Sequence, residues 1–321
     1  MFGPSFFGYC ECIADQLRAL GAQVDLYDER PNNSFVCKAM LRYNISVYRP
    51  KITAYYRDII AKNEDKDYDY IFVIKSEAID GAILSLLRQV YPRAKCILYL
   101  WDALENIPDG KKKIKIYDRV LTFDHVDAED YNIALRPLFF RKDYAGSDTD
   151  KTDFTYDLTF IGTAHSIRPR VVNALENICR KEGRKCFKFL FLPHIFVFFY
   201  NKLINPNYHK VRKSDISFVP MKPEQIRAVY DNSRCILDVE HVAQRGLTMR
   251  TIEMIGMGKK LITTNTGIQK YDFYDPANIC VIDRNDPVVP TDFWNKQYTP
   301  IPQNIIDRYS LESFVREIFE V

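Results

Sequence analysis

The chain has 321 residues, 47% of them apolar and 27% charged. That is long enough for two ordinary domains and apolar enough to give each a core, which excludes a disordered or fibrous protein. A net charge of +3 is too small for the footprint of a nucleic-acid binder, yet it allows a local basic site for an anionic ligand.

The eight cysteines, at 10, 12, 37, 96, 179, 186, 235 and 280, are scattered. Cys10 and Cys12 have no second pair at zinc spacing, so reduced thiols and no metal are expected. The opening MFGPSFFGYC lacks the basic start and apolar run of a signal peptide. No stretch reaches the ~18 apolar residues of a spanning helix. A cytoplasmic protein is the expectation.

GPSFFGY resembles a loop that follows a first strand, and Cys10, Ile13, Leu17 and Leu20 then mark an amphipathic helix that Gly21 ends. QVDLYDE follows as a strand. An open α/β domain places a strand of ~5–6 residues before that loop. Here it is missing, so the true start is expected upstream of Met1. Helices and strands then alternate: helix over 51–62, strand over 69–74, helix over 82–91, strand over 95–100, strand over 119–123, short helix over 126–132, extended run over 134–139. The strands are short and continuously apolar, as parallel strands covered on both faces are. KKKIK at 111–115 reads as a solvated turn, ahead of the alternative of a phospholipid site.

Polar, apolar-poor KDYAGSDTDKTD, residues 142–153, marks a linker. The resulting division is 1–143 as a first domain, 144–153 as linker, 154–300 as a second domain, and 301–321 as a helix that packs back on the first. The second series opens with strand–Gly162–helix. It continues with a strand over 185–192, a strand over 215–220, a helix over 222–232 and strands over 235–240, 259–264 and 278–283. The aromatic run PHIFVFFYNKLINPNYHK reads as a helix packed on the second sheet, ahead of the alternative of an element dipping toward a membrane.

The stretch RGLTMRTIEMIGMGKKLITTN, residues 245–265, reads as loop, short helix and buried strand. Gly246, Arg250 and Glu253 fall at i, i+4 and i+7, on one helical face. A helix that starts at a glycine, with Arg then Glu in its first turns, suits a phosphorylated ligand. Its N–H groups and dipole favour the phosphates, Arg250 clamps them, and Glu253 accepts from ribose hydroxyls. The competing reading is a plain amphipathic helix with an Arg–Glu surface pair. Gly162 to His165 would let backbone approach a pyrophosphate, and Arg168 adds charge. Gly246, Leu247 and Thr248 complete the donor-binding candidates. At the strand ends of the first half, Asp102, Asp124 and His125 are the candidates for taking a proton, with helix or turn capping as the competing role for the two Asp. Ligands of open parallel sheets sit at this C-terminal edge.

The layout and 245–265 resemble the GT-B glycosyltransferases, in which two Rossmann-like domains face each other across a cleft. The nearest likeness is to bacterial enzymes of capsular, exopolysaccharide or lipopolysaccharide assembly. FFGYCECIADQLRALGAQVDLYDERP, LYLWDALENI, RVLTFDHVDAEDY, YDLTFIG and KYDFYDPANICVIDRNDP support it, covering most of the chain. The resemblance implies a nucleotide-diphosphate sugar donor, a saccharide or lipid-linked acceptor, no cofactor and no metal, with peripheral contact to the inner membrane face. In retaining members with two glutamates eight positions apart, the second contacts the donor ribose and matches Glu253. The first position is Arg245, so the sugar-contacting carboxylate is absent and the stereochemical outcome is open. Arg250 would neutralise the diphosphate. Two other readings stay open: a degenerate nucleotide-sugar-binding protein, and a nucleotide-sugar epimerase that needs no acceptor.

Overall fold

The computed structural model describes residues 1–5, 8–34, 37, 40–41, 44–107, 109–146, 151–241 and 245–321. The chain forms two compact units. One comprises Met1–Pro137 with Leu311–Val321, and the other Leu138–Ser310. Among the described residues each unit carries one six-stranded sheet, paired in parallel throughout.

The first sheet is built from β1 (Phe2–Gly3), β2 (Tyr27–Asp28), β3 (Tyr70–Ile74), β4 (Lys95–Leu100), β5 (Arg119–Thr122) and β6 (Ala134–Leu135), in the order β2-β1-β3-β4-β5-β6. The strand read as missing is therefore present as two residues. Phe2 pairs with Tyr27 on one side and Val73 on the other, and both residues are buried. A two-residue strand carries no periodicity, which is why it cannot be seen in the sequence. The core is continuous: Val73, Ile83, Leu87, Leu98 and Leu100 are almost fully buried.

The second sheet comprises β7 (Tyr156–Thr163), β8 (Cys186–Phe191), β9 (Ile216–Ser217), β10 (Ser233–Asp238), β11 (Lys260–Thr263) and β12 (Ile279–Val281), ordered β12-β11-β10-β7-β8-β9. The order turns at β7 and β10, where chain connections leave in opposite directions. Strand ends there are the switch point of an open sheet and the place for a ligand.

Four expectations need correction. Residues 138–143, expected in the first domain, and 144–146, expected as linker, pack with the second unit: Tyr144 is buried, Gly146 N donates to Gly256 O at 2.9 Å, and Arg227 donates to the carbonyls of Asp143 and Gly146. Residues 147–150 of the expected linker lie outside the described residues. Residues 301–310 also belong to the second unit; Phe140 N donates to Tyr309 O, and Tyr309 Oη to Asp272. Lys113 of the KKKIK run is 3% exposed and donates to the carbonyls of Ser76 and Glu77, so that turn is solvated only in part. The aromatic run does form a helix, Ile195–Ile204, but only Phe198 of it is buried.

Candidate functional site

Polar side chains concentrate at the C-terminal strand edge of each unit. In the second unit the centre is Asp238, the last residue of β10, with no exposed surface. Oδ2 accepts from the hydroxyls of Thr248 and Thr251, each at 2.9 Å, and Oδ1 from Arg250 Nη1 at 2.9 Å. A buried carboxylate needs such partners, because the desolvation of an isolated charge far exceeds one hydrogen bond. Nothing in the sequence singled Asp238 out beyond its place at a strand end.

The helix expected to start at Gly246 spans Met249–Gly256, and its N-cap is Thr248, whose hydroxyl accepts from Thr251 N at 3.2 Å. Thr at the cap outranks a glycine because its oxygen satisfies an orphan N–H. Gly246 precedes the helix, and its carbonyl accepts from Asn265 Nδ2 at 3.3 Å. Leu247 is 2% exposed and belongs to the core. Six of the eight helical residues are buried, so the plain alternative of a surface Arg–Glu helix fails as well.

Arg250 is not an unpaired diphosphate clamp. Nη1 binds Asp238, Nη2 donates to Ile161 O, and the guanidinium lies 5.1 Å from the Phe160 ring centroid. Burial works against its charge, but Tyr230 and Asp238 outweigh that and hold its pKa above the ordinary arginine value. Gly162 makes room for it: a Cβ there would sit 2.8 Å from Arg250 Nη2 and 3.1 Å from Phe160 Cζ. The glycine therefore serves the Arg250 side chain. Glu253 is 6% exposed, and its charge, after burial itself, raises the pKa of the Tyr144 phenol.

At this edge Arg168 is a cation hydrogen-bonded, among the described residues, only to neutral acceptors, and His165 near it is a neutral imidazole. Arg168 Nε donates to Val239 O at 2.6 Å and Nη1 to Thr163 Oγ1 at 3.1 Å, both neutral acceptors. Among the described residues it has no carboxylate ion pair. Burial, then repulsion from Arg250, lowers its pKa to about 10. His165 follows β7, its ring centroid 5.7 Å from that of His241. Burial, then Arg168, His241 and Arg250, drop its pKa to about 3. Helix Arg168–Lys181 begins here with no side-chain cap and with Pro169 in its first turn. The first-turn N–H groups are taken within the backbone, Arg168 N by His165 O and the Arg170 and Val171 N by Ile167 O, so the group here that can meet an anion is the Arg168 guanidinium, with Asp238 and Glu240 near enough to raise its pKa in part.

One carboxylate at this edge escaped the sequence reading. Glu240, 1% exposed, accepts from Thr264 Oγ1 and from Arg284 Nη2. Burial raises its pKa.

In the first unit Asp102 follows β4. Its Oδ1 accepts from Ala103 N at 3.0 Å and Asn106 Nδ2 at 2.9 Å, and Oδ2 lies 3.3 Å from Lys75 Nζ. Lys75 also meets Glu77 Oε1 at 2.7 Å. Lys75 and Ser76, just past β3, hold φ of 76° and 60°, a left-handed backbone that costs non-glycine residues energy and gathers at functional loops. Glu77 is bridged by Arg30 at 3.0 Å, and its N–H donates to Glu29 Oε2 at 2.7 Å. Glu29 is fully buried; desolvation, then Glu77, raises its pKa. Asp102 stands out in the sequence as a residue just past a strand; Glu29, Arg30 and Lys113 do not, because only the fold brings them to this edge.

Asp124 is fully buried and caps helix His125–Tyr131, accepting from Val126 N at 2.9 Å. This is the capping role that competed with catalysis in the sequence. His125 opens that helix, with Nδ1 buried and unbonded. Of the three proton-transfer candidates Asp102 alone pairs partial exposure with a cation.

No protein-family model matches the sequence, and no curated protein does. Solved structures match over nearly the whole chain. HepE of Anabaena, in complex with UDP-glucose, aligns with a TM-score of 0.65 at 9% identity, covering 99% of this chain and 97% of that one. A glycosyltransferase from Rickettsia africae gives 0.58 at 15%, covering 99% and 96%. AviGT4, a glycosyltransferase involved in avilamycin A biosynthesis, gives 0.60 at 11%, covering 96% and 86%. At such identities the likeness is one of fold, and this chain has the two-domain α/β GT-B fold.

Proposed function

We propose that the protein is a glycosyltransferase that takes a sugar from a nucleotide-diphosphate donor to a hydroxyl of a cell-surface polysaccharide or lipopolysaccharide precursor. The observation that carries this reading is the corner after β7: Arg168, hydrogen-bonded only to neutral acceptors among the described residues, near a neutral His165 whose protonation a bound anion would favour. The donor diphosphate supplies the missing negative charge. The fold supports the same reading, since HepE was solved with UDP-glucose bound.

In the reaction the acceptor oxygen attacks the anomeric carbon and the bond to the diphosphate breaks. The nucleoside diphosphate leaves with the electron pair, its charge met by Arg168. This reading needs no metal, so a chelator should leave turnover unchanged. In an inverting reaction Asp102 takes the acceptor proton, with Lys75 and Asn106 fixing its carboxylate. Glu253 is assigned to the donor ribose.

A panel of nucleotide sugars tested by thermal shift checks the donor assignment, because a ligand of the folded state raises the melting temperature. One member should stabilise the protein, and Arg168→Ala should abolish the shift. Asp102→Asn should leave that shift intact and lower turnover by about 100-fold or more. If no nucleotide sugar shifts the melting temperature, the donor assignment fails. The second reading, a binding protein that has lost catalysis, is favoured by Arg245 at the position of the first family glutamate. It predicts the thermal shift with neither transfer nor donor hydrolysis.

A further inference from the structure

Helix Ile195–Ile204 wears its apolar side outward. Phe196, Phe199, Tyr200 and Leu203 fall at i, i+3, i+4 and i+7, on one face, and are 73%, 56%, 62% and 82% exposed. The inner side is narrow. Phe198 packs there against Tyr208. Lys202, the helix's one charged residue, turns under to donate to the carbonyls of Tyr208, His209 and Val211 at 3.0, 2.6 and 2.8 Å. The usual surface helix is inverted: the charge is spent on a loop, and a contiguous apolar patch faces out.

We propose that this helix seats the second unit in the surface of an anionic lipid bilayer. From Pro193 to Ser214 the chain holds no Asp or Glu, while Lys202, Lys210, Arg212 and Lys213 are basic. The last three are exposed, in the loop that Lys202 ties to the helix. Aromatic and aliphatic side chains enter the acyl boundary while the basic loop meets anionic headgroups. Ten residues span only about 15 Å, half of a ~30 Å hydrocarbon core. Among the described residues no helix is long and apolar enough to cross. The helix therefore lies in the interface plane. A second copy fits less well, because a symmetric contact would press the same basic loop onto itself. The proposal is independent of the donor assignment.

Co-sedimentation of the full chain with vesicles of phosphatidylcholine, alone or mixed with phosphatidylglycerol, tests it. Binding is expected to the mixed vesicles and at least about tenfold weaker to the neutral ones. The triple variant Phe196→Ser/Phe199→Ser/Leu203→Ser should lose at least about tenfold more while keeping its melting temperature, since the replaced side chains are exposed. As a check that needs no loss of function, Phe196→Trp should give an emission that shifts to the blue when mixed vesicles are added. The proposal is overturned if the wild type does not sediment with mixed vesicles, or binds both kinds equally. It is overturned too if the protein is a dimer that the triple variant splits, or if the Phe196→Trp emission stays put.

Discussion

At the end of β10 one carboxylate holds three partners, and the arrangement has a sign that mutation can read. Asp238 carries no exposed surface, and Arg250 beside it is mostly buried. Asp238→Ala leaves a guanidinium without its counter-charge and should cost about 3–5 kcal/mol, the usual price of breaking a buried pair from one side. Adding Arg250→Met to that variant should restore part of the loss, because the stranded charge goes with it. Urea denaturation of the two variants measures both, and an equally unstable double variant would sink the pairing argument. His165 provides the second residue-scale prediction. Its folded pKa, about 3, lies below the ordinary 6.5. Between those values the unfolded chain binds the extra proton and the folded one does not. Stability from this group is thus complete above pH 6.5 and declines as pH falls toward 3, by at most about 1.4 kcal/mol per pH unit. His165→Asn should remove that slope from the pH dependence of the urea midpoint. A bound diphosphate should push the His165 pKa up, seen as its imidazole proton signals titrating at higher pH. These residues were partly legible. His165 and Arg168 stood out as polar groups after a strand and a glycine, but that Arg168 bonds only to neutral acceptors depends on Asp238 being claimed by Arg250, 12 positions away, which no local pattern reports.

Helix Met249–Gly256 shows what element-scale patterning can and cannot fix. Its existence and end were visible from TIEMIGMG, and Gly258 indeed takes the left-handed φ of 61° just beyond it. Its start was set three residues early, because glycine and threonine both begin helices and only the Thr248–Thr251 hydrogen bond decides between them. Gly256 is more than a terminator. A Cβ there would stand 2.5 Å from Phe140 Cγ, with two more ring atoms at 2.8 Å. Alanine is the better helix former by about 1 kcal/mol, but Phe140 is 6% exposed and has little room to retreat. Gly256→Ala should therefore destabilise the second unit, by about 1–3 kcal/mol net of propensity. A melting temperature at or above wild type would show that Phe140 can move aside. The same limit explains the first unit. Its longer strands were plain from apolar runs of four to six, whereas Phe2–Gly3 is held by pairing on both sides and has no pattern of its own.

Over the whole molecule the chain crosses between units twice, so the first unit is made from two separated segments. Helix Leu311–Phe319 returns to it and buries Leu311, Phe314, Val315, Ile318 and Phe319. Phe314 meets Tyr99 edge-on at 4.9 Å, and Phe319 meets Tyr70 and Phe72 at 5.1 and 5.3 Å. Arg119 donates to Ile318 O at 3.0 Å, and Arg136 pairs with Glu317 at 3.2 Å. The helix itself was legible from its spacing of apolar residues, and the sequence analysis placed it back on the first domain; which side chains it buries there depends on where the chain has gone in between. Five buried apolar side chains at about 1.5–3 kcal/mol each, about 7.5–15 kcal/mol in all, are comparable with the whole margin of an ordinary domain, about 5–15 kcal/mol. The second unit, by contrast, has its own core around Phe160, Leu175, Leu237 and Trp294. Ending the chain at Ser310 should therefore unfold the first unit and spare the second. Calorimetry should show one transition lost and one kept, and the kept one should still move up with the nucleotide sugar that stabilises the full chain. Loss of both transitions together would mean that residues 138–310 do not hold their fold alone, and that the donor corner after β7 depends on the first unit for its stability.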